Sequence, residues 1–285
     1  MSRVRGHCRP WMASAVLLVA GLWGSQAKAD PILNGGFEDP TPFHFWGTVG
    51  DTQIQGSLMG VSPTEGLSHA LLATYTDGSI NPVVVPGAGV AEGTLESGLG
   101  LSYGSLSTFS GSTILAGSGI SQTVHLVAGE KLSFKWDFLT NQTYNDGTNM
   151  SIAPSATNND FSFFNLVNEA PGGSSQIFKL ADTFYGYSND PSSAAGFDSG
   201  LVLTDPSNPF ISETKYQSFS ITVSVTGDYL VGAGVAHVTA GGAPDNGVNS
   251  GLLVDDFKVA AVPEPASFLG LGLLGMGVVL RRRRK

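Results

Sequence analysis

Along most of the chain apolar and polar residues alternate in short runs, separated by clusters of Gly, Ser, Asn and Asp, and no stretch carries a helical period. The clearest run is Lys131 to Leu139. Leu132, Phe134, Trp136 and Phe138 fall on one side of an extended chain, and Ser133, Lys135 and Asp137 on the other. That period of two predicts a half-buried strand with Trp136 in the core. Residues 122–127 alternate just before it, and Ala128-Gly129-Glu130 predicts a hairpin turn between the two. Further strands are predicted over 69–75, 81–85, 112–116, 161–167, 175–180, 200–204, 216–225, 228–238 and 251–259. Many short strands without helices predict an all-β fold, a single β-sandwich or jelly roll over residues 30–260. No internal repeat points to a propeller or solenoid. The polar stretches 141–160 and 186–199 predict long surface loops.

Both ends break the pattern. Residues 1–29 have a basic start (Arg3, Arg5, Arg9), an apolar stretch from Met12 to Trp23, and the small-x-small site Ala27-Lys28-Ala29. This predicts a secretory signal helix, cut by signal peptidase so that Asp30 begins the mature chain. At the other end, residues 261–285 form a tail in three parts. Val262-Pro263-Glu264-Pro265 comes first, Ala266 to Leu280 follow without a charge, and Arg281 to Lys285 are all basic. As a helix the uncharged part reaches about 22 Å, against about 30 Å of hydrocarbon. It can serve as a short transmembrane helix if Arg281 snorkels, with the basic cluster in the cytoplasm and the acidic domain outside.

Charge sharpens the division. Between Asp30 and Pro265 the basic residues are five Lys (131, 135, 179, 215 and 258) against all 23 acids, a net charge near −18. A nucleic-acid partner is excluded, because it requires a basic patch to neutralise phosphates. The single Cys, Cys8, lies in the leading segment, so disulfides, zinc–thiolate sites and Cys nucleophiles are excluded from the domain.

Pro263-Glu264-Pro265, a Gly- and Leu-rich short span and an Arg-rich terminus together resemble the PEP-CTERM sorting signal of exported proteins in Gram-negative bacteria that make extracellular polysaccharide. The resemblance implies that a membrane-embedded exosortase recognises the tripeptide, with Pro263, Glu264 and Pro265 as the sorting motif. An inner-membrane-anchored precursor would then be cut near it and delivered to the cell surface or beyond. The chemistry agrees: two prolines keep the segment extended and accessible, and four glycines (270, 272, 275 and 277) weaken the short helix.

The core carries a second resemblance. Asn34-Gly-Gly-Phe-Glu38 with Trp46 is similar to the opening of carbohydrate-binding-module-like jelly rolls, Gln122 to Gly129 with Leu132 to Phe138 resembles their central hairpin, and Leu252 to Val259 resembles their closing strand. Asp160 to Phe164 and Leu180-Ala-Asp182 resemble domains found on PEP-CTERM proteins. The jelly-roll resemblance implies a structural Ca²⁺ where the first and last strands meet. Glu38 and Asp255 lie on those segments, and calcium takes hard oxygen ligands.

Other chemistry finds little purchase. Gly100-Leu-Ser102-Tyr-Gly104 matches the nucleophile elbow, but its flanks read as a Gly/Ser loop instead of strand and helix. His44, His69, His125 and His237 lack zinc-site spacing. The pairs Glu38/Asp39 and Asp255/Asp256 are adjacent in the chain, so in a strand each pair points to opposite faces. Tyr103, Tyr144, Tyr185 and Tyr187 lie in loop-like context and are candidate stacking platforms for sugar. The expectation is an exported, non-enzymatic surface or extracellular-matrix protein associated with exopolysaccharide. The alternatives are a carbohydrate-binding module and, behind it, a hydrolase on the same scaffold.

Overall fold

The computed structural model describes residues 32–57, 60–74, 89–141, 159–183, 210, 212–239 and 250–261. In chain order the elements are β1 (Gly47–Val49), β2 (Asp51–Gln55), β3 (His69–Ala73), α1 (Glu92–Gly98), α2 (Ser105–Ser110), β4 (Thr113–Leu126), β5 (Lys131–Thr140), β6 (Phe161–Asn168), β7 (Ser175–Asp182), β8 (Ser212–Glu213), β9 (Gln217–Thr222), β10 (Gly227–Thr239) and β11 (Ser250–Ala260). They form two antiparallel sheets. The first runs β1-β4-β10-β6-β7; the second runs β2-β3-β11-β5-β8, with β9 pairing β5 beside β8. The all-β sandwich read from the sequence is the architecture found. Expected strands 81–85 and 200–204, the signal helix and the transmembrane helix lie outside the described residues. No helix among the described residues is long and apolar enough to cross a membrane.

The main core lies between the sheets. Leu132, Phe134, Trp136 and Phe138 of β5 meet Val231, Ala233 and Val235 of β10, as their period of two requires. Phe134 is stacked on Phe257 at 4.5 Å and tilted against Phe164 at 5.2 Å.

Three expectations change. First, Ala128 to Glu130 is not a hairpin. β4 pairs with β1 and β10, while β5 pairs with β11, β8 and β9, so this turn carries the chain from one sheet to the other. Gly129 takes φ +92°, the Glu130 carboxylate accepts the Val127 N–H at 2.8 Å, and Val223 N donates to Glu130 O at 2.9 Å. The arch closes against the end of β9 because Leu126 and Leu132 both face the core between the sheets. Second, Asp137 does not face water. The outer side of the second sheet is capped by Val61, Phe210 and Tyr216 over Leu71, Leu139 and Leu253, and Asp137 is buried beneath them.

Third, two short helices pack on the outer face of the first sheet. Leu95, Leu99 and Leu106 join Phe161, Phe163, Ala236 and Val238 in a second core. Gly117 and Gly119 allow the close approach of the helices, and Gly234 makes room for Phe163. A Cβ on Gly117 would lie 2.6 Å from Leu95 Cδ2, and one on Gly234 would lie 2.6 Å from Phe163 Cζ.

Candidate functional site

The helices build an exposed shelf. α2 begins at Gly104, φ +80°, which has no side chain to cap the free N–H groups of the first turn. α1 supplies the acceptors instead. Buried Glu96 accepts Gly104 N through Oε2 and Leu106 N through Oε1, both at 2.8 Å, and Glu92 Oε1 accepts Ser107 N at 2.8 Å. Negative charge is favoured at that end of a helix. The turn 100–104 is held as a result, with Tyr103 85% exposed at its tip. Its ring edge lies over Gly93, where a Cβ would stand 3.1 Å from Cδ2 and Cε2.

Phe109, on the next turns of α2, is 39% exposed and separates two cavities on this face. One, of about 410 Å³, is lined by Tyr103, Gly104, Ser105, Thr108, Phe109, Ser175 and Ile177. The other, of about 280 Å³, is lined by Phe109, Ser110, Ser112, Asn159, Phe161, Lys179 and Val238. Exposed aromatic rings beside hydroxyl and amide groups can stack on the apolar face of a sugar while bonding its rim. Tyr103 was a candidate from sequence; Tyr144, Tyr185 and Tyr187 lie outside the described residues. Phe109 and the supporting Glu92 and Glu96 were not singled out. The only signal in the sequence is the spacing of the two acids four apart, Glu92 and Glu96, since Ser105 to Ser110 is mostly polar. Ser102 of the elbow-like motif lies in the turn between the two helices, without the strand that such a nucleophile needs.

Glu38 and Asp255 do converge, on the loop before β3. Glu38 Oε1 accepts Leu67 N at 2.8 Å and Ser68 N at 2.7 Å. Asp255 Oδ2 accepts Thr64 N, Thr64 Oγ1 and Glu65 N at 2.8, 2.7 and 3.1 Å, and Oδ1 accepts Asp256 N at 2.7 Å. Glu38 Oε1 and both Asp255 oxygens are thus engaged by backbone and hydroxyl donors of the loop, and the pair acts as a loop staple. Among the described residues no three His, Cys, Asp or Glu side chains form a metal-holding group. Burial pushes Asp255 up despite its donors, and Glu65 is raised by its contact with Asp256.

Two buried polar clusters complete the inventory. On the outer face of the second sheet, burial and then neighbouring Glu213 raise the Asp137 carboxyl well above the usual range, while Asp137 Oδ1 accepts Thr214 N and Oγ1, both at 3.1 Å. Nearby, burial lowers His69 to about 4; its Nδ1 lies 2.7 Å from the Tyr216 hydroxyl. Between the strand ends, Asp160 Oδ1 lies 2.8 Å from His237 Nδ1, and Asp160 Oδ2 accepts Ser250 Oγ at 2.8 Å. Here the acid, not the imidazole, stands between the other two. Ser250 Oγ hydrogen-bonds the carboxylate directly and not an imidazole, so the order differs from a Ser-His-Asp triad and fits a structural clamp. His125 pairs with Asp228 at the surface, and His44 with Asp39.

The cleavage residues Ala27, Ala29 and Asp30, and the motif Pro263, Glu264 and Pro265, lie outside the described residues. For the tail the family comparison decides: a model of the PEP-CTERM protein-sorting motif matches residues 261–284. The chain carries a PEP-CTERM sorting signal. It follows that this is an exported protein with a C-terminal sorting signal, a substrate for exosortase processing.

No curated protein matches the chain. Among solved structures it is distantly similar to a family 61 carbohydrate-binding module in complex with β-1,4-galactotriose, at 12% identity and TM-score 0.37, covering 81% of this chain and 97% of that one. A Stig cyclase from Fischerella sp. TAU matches at 14% identity and TM-score 0.35, over 82% and 98%. The C-terminal family 22 carbohydrate-binding module of Clostridium thermocellum Xyn10B matches at 11% and 0.33, over 82% and 100%.

Proposed function

We propose that this is an exported, non-enzymatic cell-surface or extracellular-matrix protein that associates with exopolysaccharide, and that it holds glycan on the shelf of Tyr103 and Phe109. The sorting signal supports export. The observation that carries the rest is Tyr103: a large ring left 85% exposed on a turn held by two hydrogen bonds to buried Glu96. A ring held in place yet uncovered loses little entropy when a flat partner stacks on it. Exopolysaccharide outside the cell would supply such partners to an exported protein.

The hydrolase alternative draws less support. Asp137 and Glu213 face one another, but both are buried, and Phe210 and Tyr216 cover this face. A glycosidase instead flanks an open cleft with its two carboxylates. The test is binding of the exported protein to a glycan array, beside Tyr103→Ala. Truncating a central aromatic anchor costs about 2 kcal/mol, roughly thirtyfold in affinity. Binding that survives Tyr103→Ala unchanged, or no binding to any glycan, overturns the reading.

A further inference from the structure

We propose that the groove on either side of Phe109 selects an uncharged glycan and engages two consecutive sugar rings. This rests on the reading that the shelf binds glycan and adds which kind. The two cavities meet at Phe109, so a ring in each would belong to one chain passing over that side chain. The walls of the larger cavity carry the hydroxyls of Ser105 and Thr108; in the smaller one Ser110 Oγ donates to Ser112 O and Asn159 Oδ1 accepts from Thr183 Oγ1, so these polar groups are neutral and already anchored. The hydroxyls of the larger cavity exchange hydrogen bonds with sugar hydroxyls in either direction.

Charge decides the class. Among the described residues that line the two cavities there is no carboxylate and one cation, Lys179. Its Nζ lies 2.7 Å from Oδ2 of buried Asp182, so this cation is paired within the protein. The domain around it carries about −18, with five Lys against 23 acids from Asp30 to Pro265. A uronate or sulfated chain would approach against this field and find no uncompensated cation in the groove to offset the loss. A neutral chain meets no such barrier and keeps the stacking on Tyr103.

The experiment is affinity electrophoresis and calorimetry of the exported protein. The neutral probes are galactan and dextran, and the anionic probes are polygalacturonate and alginate, each in 20 mM and 500 mM NaCl. At least one neutral probe should bind with an affinity that salt leaves within about twofold. The anionic probes should bind at least tenfold more weakly in low salt. Tyr103→Ala should lose at least tenfold for the neutral probe at unchanged melting temperature. Affinity should rise from mono- to disaccharide, and Phe109→Ala should remove that rise. Anionic probes that bind equally well or better, through Tyr103 and with strong salt dependence, overturn the uncharged class while leaving glycan binding standing. A disaccharide no better than a monosaccharide overturns the two-ring arrangement. Binding to no probe, or binding indifferent to Tyr103→Ala, removes the shelf and this inference together.

Discussion

The carboxylate of Glu96 in α1 accepts the backbone N–H of Leu106 in α2 at 2.8 Å, across ten residues of chain. With the matching bond from Gly104, it ties the turn that presents Tyr103 to the second hydrophobic core. Replacing Glu96 by Ala leaves two N–H groups without their acceptor in a largely buried place. Charge-assisted bonds of this kind are worth about 1.5–3 kcal/mol each, but neighbours relax and water enters, so a net loss of about 3 kcal/mol is expected. Glu96→Gln keeps one acceptor oxygen and should lose less. Denaturant melts give the stabilities, and glycan affinity should fall in the same order because Tyr103 is no longer held.

Gly117 gives an independent handle on the same platform. A methyl group there would meet Val235 O at 2.5 Å and Leu95 Cδ2 at 2.6 Å. One contact is with strand backbone that cannot yield without breaking the ladder. Gly117→Ala should therefore cost about 1–3 kcal/mol, the usual range for overpacking, although Ala normally favours strand over Gly. Gly129→Ala should cost less from sterics, since nothing lies within 4 Å, and its penalty comes from φ +92° alone. Thermal melts of the two variants compare contact with backbone strain directly.

How far the sequence reaches follows from these residues. The period of two at Leu132, Phe134, Trp136 and Phe138 reports one face of a sheet directly, and all four are in the core. The same period could not report what covers the other face, so Asp137 read as exposed and is buried. The helices escaped for a related reason. Gly, Ser and Thr fill α1 and α2, and Leu95, Leu99 and Leu106 are too sparse to set a period. What holds those helices is partners distant in the chain: Gly117 and Gly119 beneath Leu95 and Leu99, and Glu96 between the helices. In β4 the alternate glycines 117 and 119 are the trace of that close approach left in the sequence, while Gly232 and Gly234 of β10 make room for Asn165 and Phe163 of β6. The arch at 128–130 was misread because a hairpin turn and a crossing between sheets use the same residues. Which one forms depends on β10 and β11, a hundred residues later. Glu38 and Asp255 were correctly brought together by their places on the first and last segments, but their partners are N–H groups, which a list of side chains does not reveal.

For that pair the discriminating measurement is the melting temperature in calcium and in chelator. As staples of the loop 64–68, Glu38→Ala and Asp255→Ala should each lower stability, by about 1–3 kcal/mol, equally in both buffers. The unsubstituted protein should melt at the same temperature in each. A rise with calcium that both substitutions abolish would instead put an ion on these oxygens, since a ligand of the folded state alone must stabilise it.

The sorting signal is tested in the producing cell. Glu264→Ala should leave precursor in the membrane fraction, as should loss of the exosortase, whereas the unsubstituted protein should reach the surface without the tail. Mass spectrometry of both termini is the readout. A mature chain starting at Asp30 and ending near Pro265 is expected; Lys285 on protein taken from the surface would make the tail a plain anchor.

Three buried groups set an unusual dependence on pH. Burial raises Asp51 to about 6 and raises Asp137 further above its ordinary value, helped by Glu213, so the folded protein holds protons that the unfolded chain releases near pH 4. Stability from these two is present in acid and falls as pH rises through the folded values, because the native state then binds more protons than the unfolded one. His69 acts in the opposite direction. Burial lowers it to about 4, so the unfolded chain gains a proton below about pH 6.5 that the folded protein refuses, and stability is lost as pH falls from there toward 4. Between pH 4 and 6 the Asp51 and His69 contributions oppose one another and flatten the profile. Above pH 6.5 His69 is neutral in both states, Asp51 is largely ionised, and Asp137 dominates, so stability should decline into mildly alkaline solution. Asp137→Asn keeps an acceptor for Thr214 and removes the ionisation. It should match the parent near pH 4 and gain on it progressively as pH rises. Asp51→Asn should gain mainly between pH 4 and 6, by on the order of 2 kcal/mol, and hold that gain above. Urea melts from pH 4 to 9 read these curves, and an Asp137→Asn profile parallel to that of the parent at every pH would mean that Asp137 is ionised in the folded protein throughout.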